Sequence, residues 1–403
     1  MTLSLLSPSG EVTRVELSEG ASFARPSGPL RSRVAYAAAH VVPHAWADNT
    51  PGRPAEIDWD ATLGFRRNVY RWGLGVADAM DTAQRNMGLD ATAVRELIRR
   101  SAEVAREEGG SVVVGVNTDH VEEHSISLNE IIDAYKTQLH FAEEQGAIPV
   151  LMASRHLART AQSASDYERV YNAVLAAGTV PVVLHWLGAA FDPELASYFG
   201  HADWREAAQV LLRIIEANPG RIVGVKMSLL DAESEVWVRE RLPLGADGSG
   251  VRMFTGDDFN YVGLIGGADV PDAAQPARTE GARTHSDALL GAFAAITPVA
   301  SAAIQALDAG DPDRYLALLG PTEELSRQVF AAPTYFYKTG VAFLAWLNGH
   351  QAAFQMVGGL HSARSLPHLS EIVRLANASR ALENPELAAA RWHALLDLNG
   401  VAR

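Results

Sequence analysis

The chain has 403 residues, 48% of them hydrophobic and 20% charged, and a formal charge of −14. That is length enough for one large α/β core with appendages, and the acidic balance argues against nucleic acid or an anionic membrane as main partner, since those are bound by clustered Lys and Arg. With no cysteine, disulfides, thiolate zinc sites and cysteine nucleophiles are excluded.

In chain order, Met1 to Ser9 lacks a basic stretch leading into an apolar core, and no later run reaches the length of a membrane span, so a cytoplasmic protein is expected. Alternating apolar and polar residues around Ser9-Gly10-Glu11 predict a small hairpin, followed by a Pro/Gly/Ser stretch from Pro26 to Pro29. From Arg33 onward, short apolar runs alternate with segments of helical periodicity, the signature of βα units on a parallel sheet. Strands are expected at 34–42, 74–80, 112–116, 148–153, 180–186, 222–227 and 252–255, with an eighth near 267–270. Helical patterns fill 91–108, 128–145, 167–176, 204–218 and 259–265, and Gly109, Gly146 and Gly220 follow three of them as C-cap residues. From residue 285 the pattern is helical only, at 287–307, 311–331, 335–348, 369–382 and 385–398, while 271–283 reads as an insertion. The expectation is an α/β protein: an N-terminal extension at 1–32 with a β-hairpin, a (β/α)8 TIM barrel at 33–308, and a C-terminal helical subdomain at 309–403. A doubly wound sheet fits the same alternation.

In such a barrel the working residues project from the C-terminal ends of the strands. Lys226 is the most informative of them. It sits in a run from Arg221 to Met227 that is otherwise apolar or glycine, so its side chain is expected inside the barrel. A desolvated amine loses its proton more readily and can attack a carbonyl to form an imine; the plainer reading is a lysine paired with a carboxylate or snorkelling from the strand end. Candidates at other strand ends are Asp81 and Thr82, Arg155, His185, Ser228, and the pair Asp257 and Asp258. Arg155 has the fork to hold a carboxylate or phosphate, or to pair with an acidic loop residue. One of Asp257 and Asp258 is expected to cap the following helix, with Asp258 the stronger candidate.

The stretch Gly220-Arg221-Ile222-Val223-Gly224-Val225-Lys226, followed by Phe254-Thr255-Gly256-Asp257-Asp258 and Gly266-Gly267-Ala268, resembles the dihydrodipicolinate synthase and N-acetylneuraminate lyase family of class I aldolases. The resemblance runs from Ile57 through Ala300 and suits a divergent, longer branch. It implies that Lys226 forms the Schiff base and that the double glycine precedes the last strand. Two departures stand out. Where the family has a Gly-Thr-Thr-Gly-Glu loop holding a substrate carboxylate, this chain has Asp81-Thr82-Ala83-Gln84-Arg85; where the family has a catalytic tyrosine, it has His185. Histidine can do the same acid–base work, with an ordinary pKa nearer neutrality; the alternative is a satisfied core histidine.

The resemblance therefore implies a Schiff-base-forming lyase, an aldolase or dehydratase, acting on a 2-oxo acid or keto-sugar derivative. In that reading Lys226 and His185 are catalytic, and Thr82, Asp81, Arg155, Asp257 and Ser228 contact the substrate. The protonated imine is itself the electron sink, so no cofactor or metal is required. The family also implies a homo-oligomer, dimer or tetramer, whose partner is a small carbonyl compound. A rival is a metal-dependent sugar isomerase or epimerase, with Asp119 and His120 in the polar stretch from Asn117 to His124 as ligands. A third reading is a barrel that binds a sugar or acid without chemistry. Tyr335, Tyr337 and Lys338 are placed to close the site from the helical subdomain or to pack there, and the eight tryptophans suit either a carbohydrate site or a core.

Overall fold

The computed structural model describes residues 2–80, 88–244, 250–270 and 283–402. Eight parallel strands close into a barrel: β3 (Ala35–Ala38), β4 (Gly75–Asp78), β5 (Val112–Val116), β6 (Ile148–Met152), β7 (Val182–Leu187), β8 (Ile222–Ser228), β9 (Arg252–Thr255) and β10 (Asp287–Leu290), with β10 pairing back onto β3. Before them, β1 (Thr2–Leu6) and β2 (Val12–Glu16) form the antiparallel hairpin. The doubly wound alternative is excluded by the closure.

The strands are nearly all buried, as parallel strands covered on both faces must be. Alternate side chains divide between two cores. Tyr36, Ala38, Ala77, Val113, Val150 and Val183 belong to a cluster that fills the barrel, together with Phe254 and Leu289. Their neighbours Ala37, Val76, Val114, Leu151 and Leu184 belong to the larger cluster between strands and helices. Inside the barrel the Tyr36 and Phe254 rings meet edge to face at 6.0 Å. They lie over glycines: a Cβ on Gly75 would fall 2.5 Å from the Tyr36 ring, and one on Gly224 2.6 Å from that of Phe254. These two glycines are required by close packing.

A β-bulge decides which way the sixth barrel strand faces. Val182 pairs with Ile222 but Val183 pairs with Gly224, so Val223 is the extra residue, and it is exposed. One inserted residue reverses the alternation of a strand. Ile222 therefore shares the outward face of Val182, whereas Gly224, Lys226 and Ser228 continue the inward row. Without the bulge, Lys226 would point at the helices.

The eighth strand corrects the sequence expectation. It is Asp287–Leu290, and Gly267–Asp269 is a single 3-10 turn. Asp287–Leu290 was expected to begin a helix because an almost unbroken apolar run continues through Ala292–Ala295 and Thr297–Asp308. The double glycine thus lies well before the last strand. Its Gly267 has φ +55°, and a Cβ there would collide with the Thr284 carbonyl at 2.2 Å. Residues 311–331 are two helices, Pro312–Leu319 and Thr322–Val329, broken at Gly320-Pro321.

The ends of the chain pack on each other. The Trp392 indole donates to the Ser4 carbonyl at 2.7 Å, the Leu6 amide donates to Ser370 Oγ at 2.7 Å, and Asn377 accepts from the Ser18 amide at 2.8 Å. The hairpin therefore seats its buried Leu3 and Leu5 on the helices Leu366–Ala378 and Pro385–Leu398. A further C-terminal helix, Lys338–Leu347, reaches the barrel itself: the buried Lys338 Nζ donates to the Ala38 carbonyl at the end of β3, at 2.7 Å. No helix among the described residues is long and apolar enough to cross a membrane.

Candidate active site

At the C-terminal end of the barrel, Met152, His185, Lys226 and Phe254 are consecutive register partners across β6, β7, β8 and β9. His185 and Lys226 project into one cavity at the mouth, shared with Ser228, Asp258, Tyr335 and Tyr337. His185 is buried, and its Nε2 is hydrogen bonded to Ser228 Oγ at 3.1 Å. Lys226 is half-buried and lines the cavity. Room for it comes from Gly256, just after β9, where a Cβ would lie 2.7 Å from Lys226 Cε and 2.2 Å from Ser228 Oγ.

The two aspartates after β9 exchange the parts expected of them. Asp257 caps the turn: one carboxylate oxygen accepts the amides of Phe259 and Asn260 at 2.9 and 3.2 Å, the other the Asn260 side-chain amide at 2.8 Å. With both oxygens so engaged it has little left for a substrate hydroxyl. Asp258 turns toward the cavity instead. Its Oδ1 accepts the Ala292 amide at 2.9 Å and its carbonyl accepts Ser326 Oγ at 2.6 Å. Burial pushes its carboxyl up, to about 7, against the opposing pull of the Ala292 amide and of the Lys226 and Lys338 charges.

The remaining candidates divide. Ser228 is in the site. Arg155, expected to grip substrate, has its Nε 2.7 Å from Asp192 Oδ2, and the pair is largely enclosed; Asp119 and Tyr335 lie within its electrostatic reach. It stands at the rim, occupied by a carboxylate of the chain itself. Asp81 and Thr82 lie outside the described residues. Among the described residues no group of three or more His, Asp or Glu side chains is arranged to hold a metal, around Asp119 and His120 or elsewhere. In the same loop region, His156 is held at both nitrogens, by Thr118 Oγ1 and the Glu123 carbonyl, each at 2.8 Å. No tryptophan is among the cavity residues; Trp186 faces outward against Phe199 and Trp392 packs under the hairpin.

Sequence reasoning missed the apolar wall of the site. Phe191, in the loop after β7, lies edge-on to both Phe330 and Tyr337, and these two rings are stacked 4.4 Å apart. Gly291, at the end of β10, lets them in: a Cβ there would meet Phe330 at 2.7 Å and Tyr337 at 3.0 Å. A glycine directly after a short buried strand was the available signal.

A lysine in register with a histidine on the fifth and sixth strands, roofed by a C-terminal helical segment, defines a barrel protein with the fold of the dihydrodipicolinate synthases. The synthase from Bacteroides thetaiotaomicron is similar at 13% identity and TM-score 0.60, over 86% of this chain and 99% of its own. That from Oceanobacillus iheyensis is 14% identical at TM-score 0.59, over 87% and 96%. The synthase from Acinetobacter baumannii, solved with pyruvate, is 12% identical at TM-score 0.58, over 87% and 100%. The chain belongs to the DUF993 family, described as a protein of unknown function, whose model matches residues 3–401. No curated protein matches it.

Proposed function

We propose that this protein is a Schiff-base-forming lyase of the class I aldolase type, acting on a 2-oxo acid or keto-sugar derivative. The observation that carries the reading is the position of Lys226: on the sixth barrel strand, turned inward by the Val223 bulge, lining the mouth cavity with His185 as its register partner. Composition strengthens it. The chain holds only three lysines, Lys136, Lys226 and Lys338, among 34 basic residues. Arginine serves for permanent charge, whereas only lysine can give up its proton and attack carbon.

The neutral Lys226 amine adds to the substrate carbonyl, and loss of water gives a protonated imine. That cation accepts the electron pair of the adjacent carbon–carbon bond as a retro-aldol cleavage breaks it, or of an adjacent C–H bond whose proton is removed before the enamine expels a protonated hydroxyl as water from the next carbon, so the enamine forms without a metal or organic cofactor. His185, relayed through the Ser228 hydroxyl, moves the proton at substrate carbon or oxygen. Thr82 and Asp81 hold the polar end of the substrate, and Arg155 helps to the extent that it can leave Asp192. The pyruvate held by the Acinetobacter synthase makes a short 2-oxo acid the first compound to try. Cytoplasmic location and a homo-oligomeric assembly belong to the same reading.

The test is reductive trapping. Incubation with pyruvate, longer 2-oxo acids or keto sugars, then borohydride, should leave one added mass per chain, mapped to the Lys226 peptide and absent in Lys226→Met. The presence of only two other lysines makes the assignment clean. An adduct confined to Lys136 or Lys338, or none across the panel, rejects the proposal.

A further inference from the structure

We propose that Asp258 is the catalytic acid of imine formation and the base of imine hydrolysis at Lys226. The inference rests on the Schiff-base reading and adds a residue that neither the strand pattern nor the resemblance assigns to this step.

Three observations support it. Asp258 borders the same cavity as Lys226, although it is almost wholly buried. Its position is fixed by two bonds from the C-terminal part of the chain: the Ala292 amide on its carboxylate and Ser326 on its carbonyl. The Ala292 bond engages Oδ1 of the carboxylate. Two of the three lysines in the chain, Lys226 and Lys338, act on this one carboxyl, with Asp257 the nearby like charge. A buried carboxyl between two amines has little structural purpose that a neutral residue would not serve at lower desolvation cost.

The chemistry balances with the groups present. The Lys226 nitrogen lone pair bonds to the carbonyl carbon, and after a proton passes from nitrogen to oxygen the adduct is a neutral carbinolamine. Protonated Asp258 gives its hydrogen to the carbinolamine hydroxyl; the C–O bond breaks, water departs, and the nitrogen lone pair closes the C=N bond. The products are a protonated imine, a carboxylate and water. The new cation and the new anion lie side by side, so each stabilises the other in a site of low dielectric. Hydrolysis runs the same path backward, with carboxylate taking a proton from the attacking water. Burial already holds this carboxyl protonated further toward neutral pH than an exposed aspartate.

The experiment is the time course of borohydride-trapped adduct on the full-length protein, with pyruvate as probe, in the wild type and in Asp258→Asn. Asparagine keeps an oxygen for the Ala292 amide, so the fold should persist, as a thermal melt checks. The variant should form the Lys226 adduct about 100-fold more slowly or worse. In the wild type the rate should fall on the alkaline side as Asp258 ionises, and Asp258→Asn should lose that limb. The charged groups facing Asp258 are Lys226 on β8, Asp257 on its own turn and Lys338 on the helix Lys338–Leu347, so Lys338→Met should move the same limb to higher pH. Unchanged trapping in a folded Asp258→Asn overturns the inference and leaves the Schiff-base reading standing. If Asp258→Asn fails to fold, a wild-type rate with no alkaline limb, or with one unmoved by Lys338→Met, overturns it equally. Absence of any wild-type adduct removes both.

Discussion

His185 and Lys226 are register partners across the β7–β8 ladder, and the His185 ring is hydrogen bonded to Ser228, two residues beyond the lysine on the same inward row. A proton can therefore pass between imidazole, hydroxyl and anything bound to the amine. In the proposed reaction His185 acts after the imine exists. His185→Gln, which keeps a hydrogen-bonding group near Ser228, should lower turnover by about 100-fold or more and leave borohydride trapping on Lys226 intact. Steady-state rates set against trapped mass check this. Loss of both together would make the histidine a packing residue.

Gly256 is where the backbone after β9 passes the lysine. Its missing Cβ is the space that Lys226 Cε and Ser228 Oγ occupy. Gly256→Ala should displace both side chains, because a contact of 2.2 Å cannot be relieved by small shifts against the Met227 carbonyl, itself 2.7 Å away. The expected result is a folded protein, by circular dichroism, with trapping at Lys226 reduced at least tenfold. Normal trapping would show that the lysine reaches the cavity by another path.

How far the sequence foretold this site depends on distance along the chain. The strands were readable because parallel strands are short apolar runs, and Val112–Val116 and Arg252–Thr255 fall where expected. The last strand was not, because Asp287–Leu290 runs into a helix with only Gly291 between them. The lysine was legible as a lone amine in an apolar run, yet its orientation depends on the Val223 bulge, which pairing sets and no single strand displays. Asp257 and Asp258 are adjacent and identical in type; only the direction of the turn after β9 decides which one caps and which faces the cavity. Tyr335 and Tyr337 stood out as residues, but their place over the barrel depends on packing between segments far apart in the chain.

Beside the mouth, Arg66 and Asp78 form a fully buried pair. The guanidinium meets both carboxylate oxygens, at 2.5 and 3.0 Å, and donates as well to Ser101 Oγ and to the His40 and Thr62 carbonyls. The pair ties the end of β4 to the segment leaving β3. Asp78→Asn leaves a buried charge without its counterion, which costs about 3–5 kcal/mol. The urea midpoint should fall accordingly, with the β3 end loosened before the hairpin. A change near zero would mean that the polar partners alone satisfy the arginine.

Glu235, on the helix Ala232–Arg239, lies behind the barrel wall rather than in the site. Its Oε1 accepts Ser286 Oγ at 2.7 Å, and Arg239 Nη1 donates to that same hydroxyl at 3.3 Å. Burial pushes the Glu235 carboxyl up, to about 8 from an ordinary 4.5, with Asp257 adding to the rise and Ser286, Thr255 and Arg239 opposing it. The folded state therefore holds this proton more tightly than the unfolded chain. The stability it contributes is complete below pH 4.5 and is lost progressively as pH rises through 8. Glu235→Gln keeps an acceptor for Ser286 and has no proton to lose. The melting temperature of the wild type should fall relative to Glu235→Gln between pH 5 and pH 9, the difference growing steadily until Glu235 is ionised. Parallel melting curves across that range would show that Arg239 already holds Glu235 as an ion pair, and that the carboxyl is charged in the native protein.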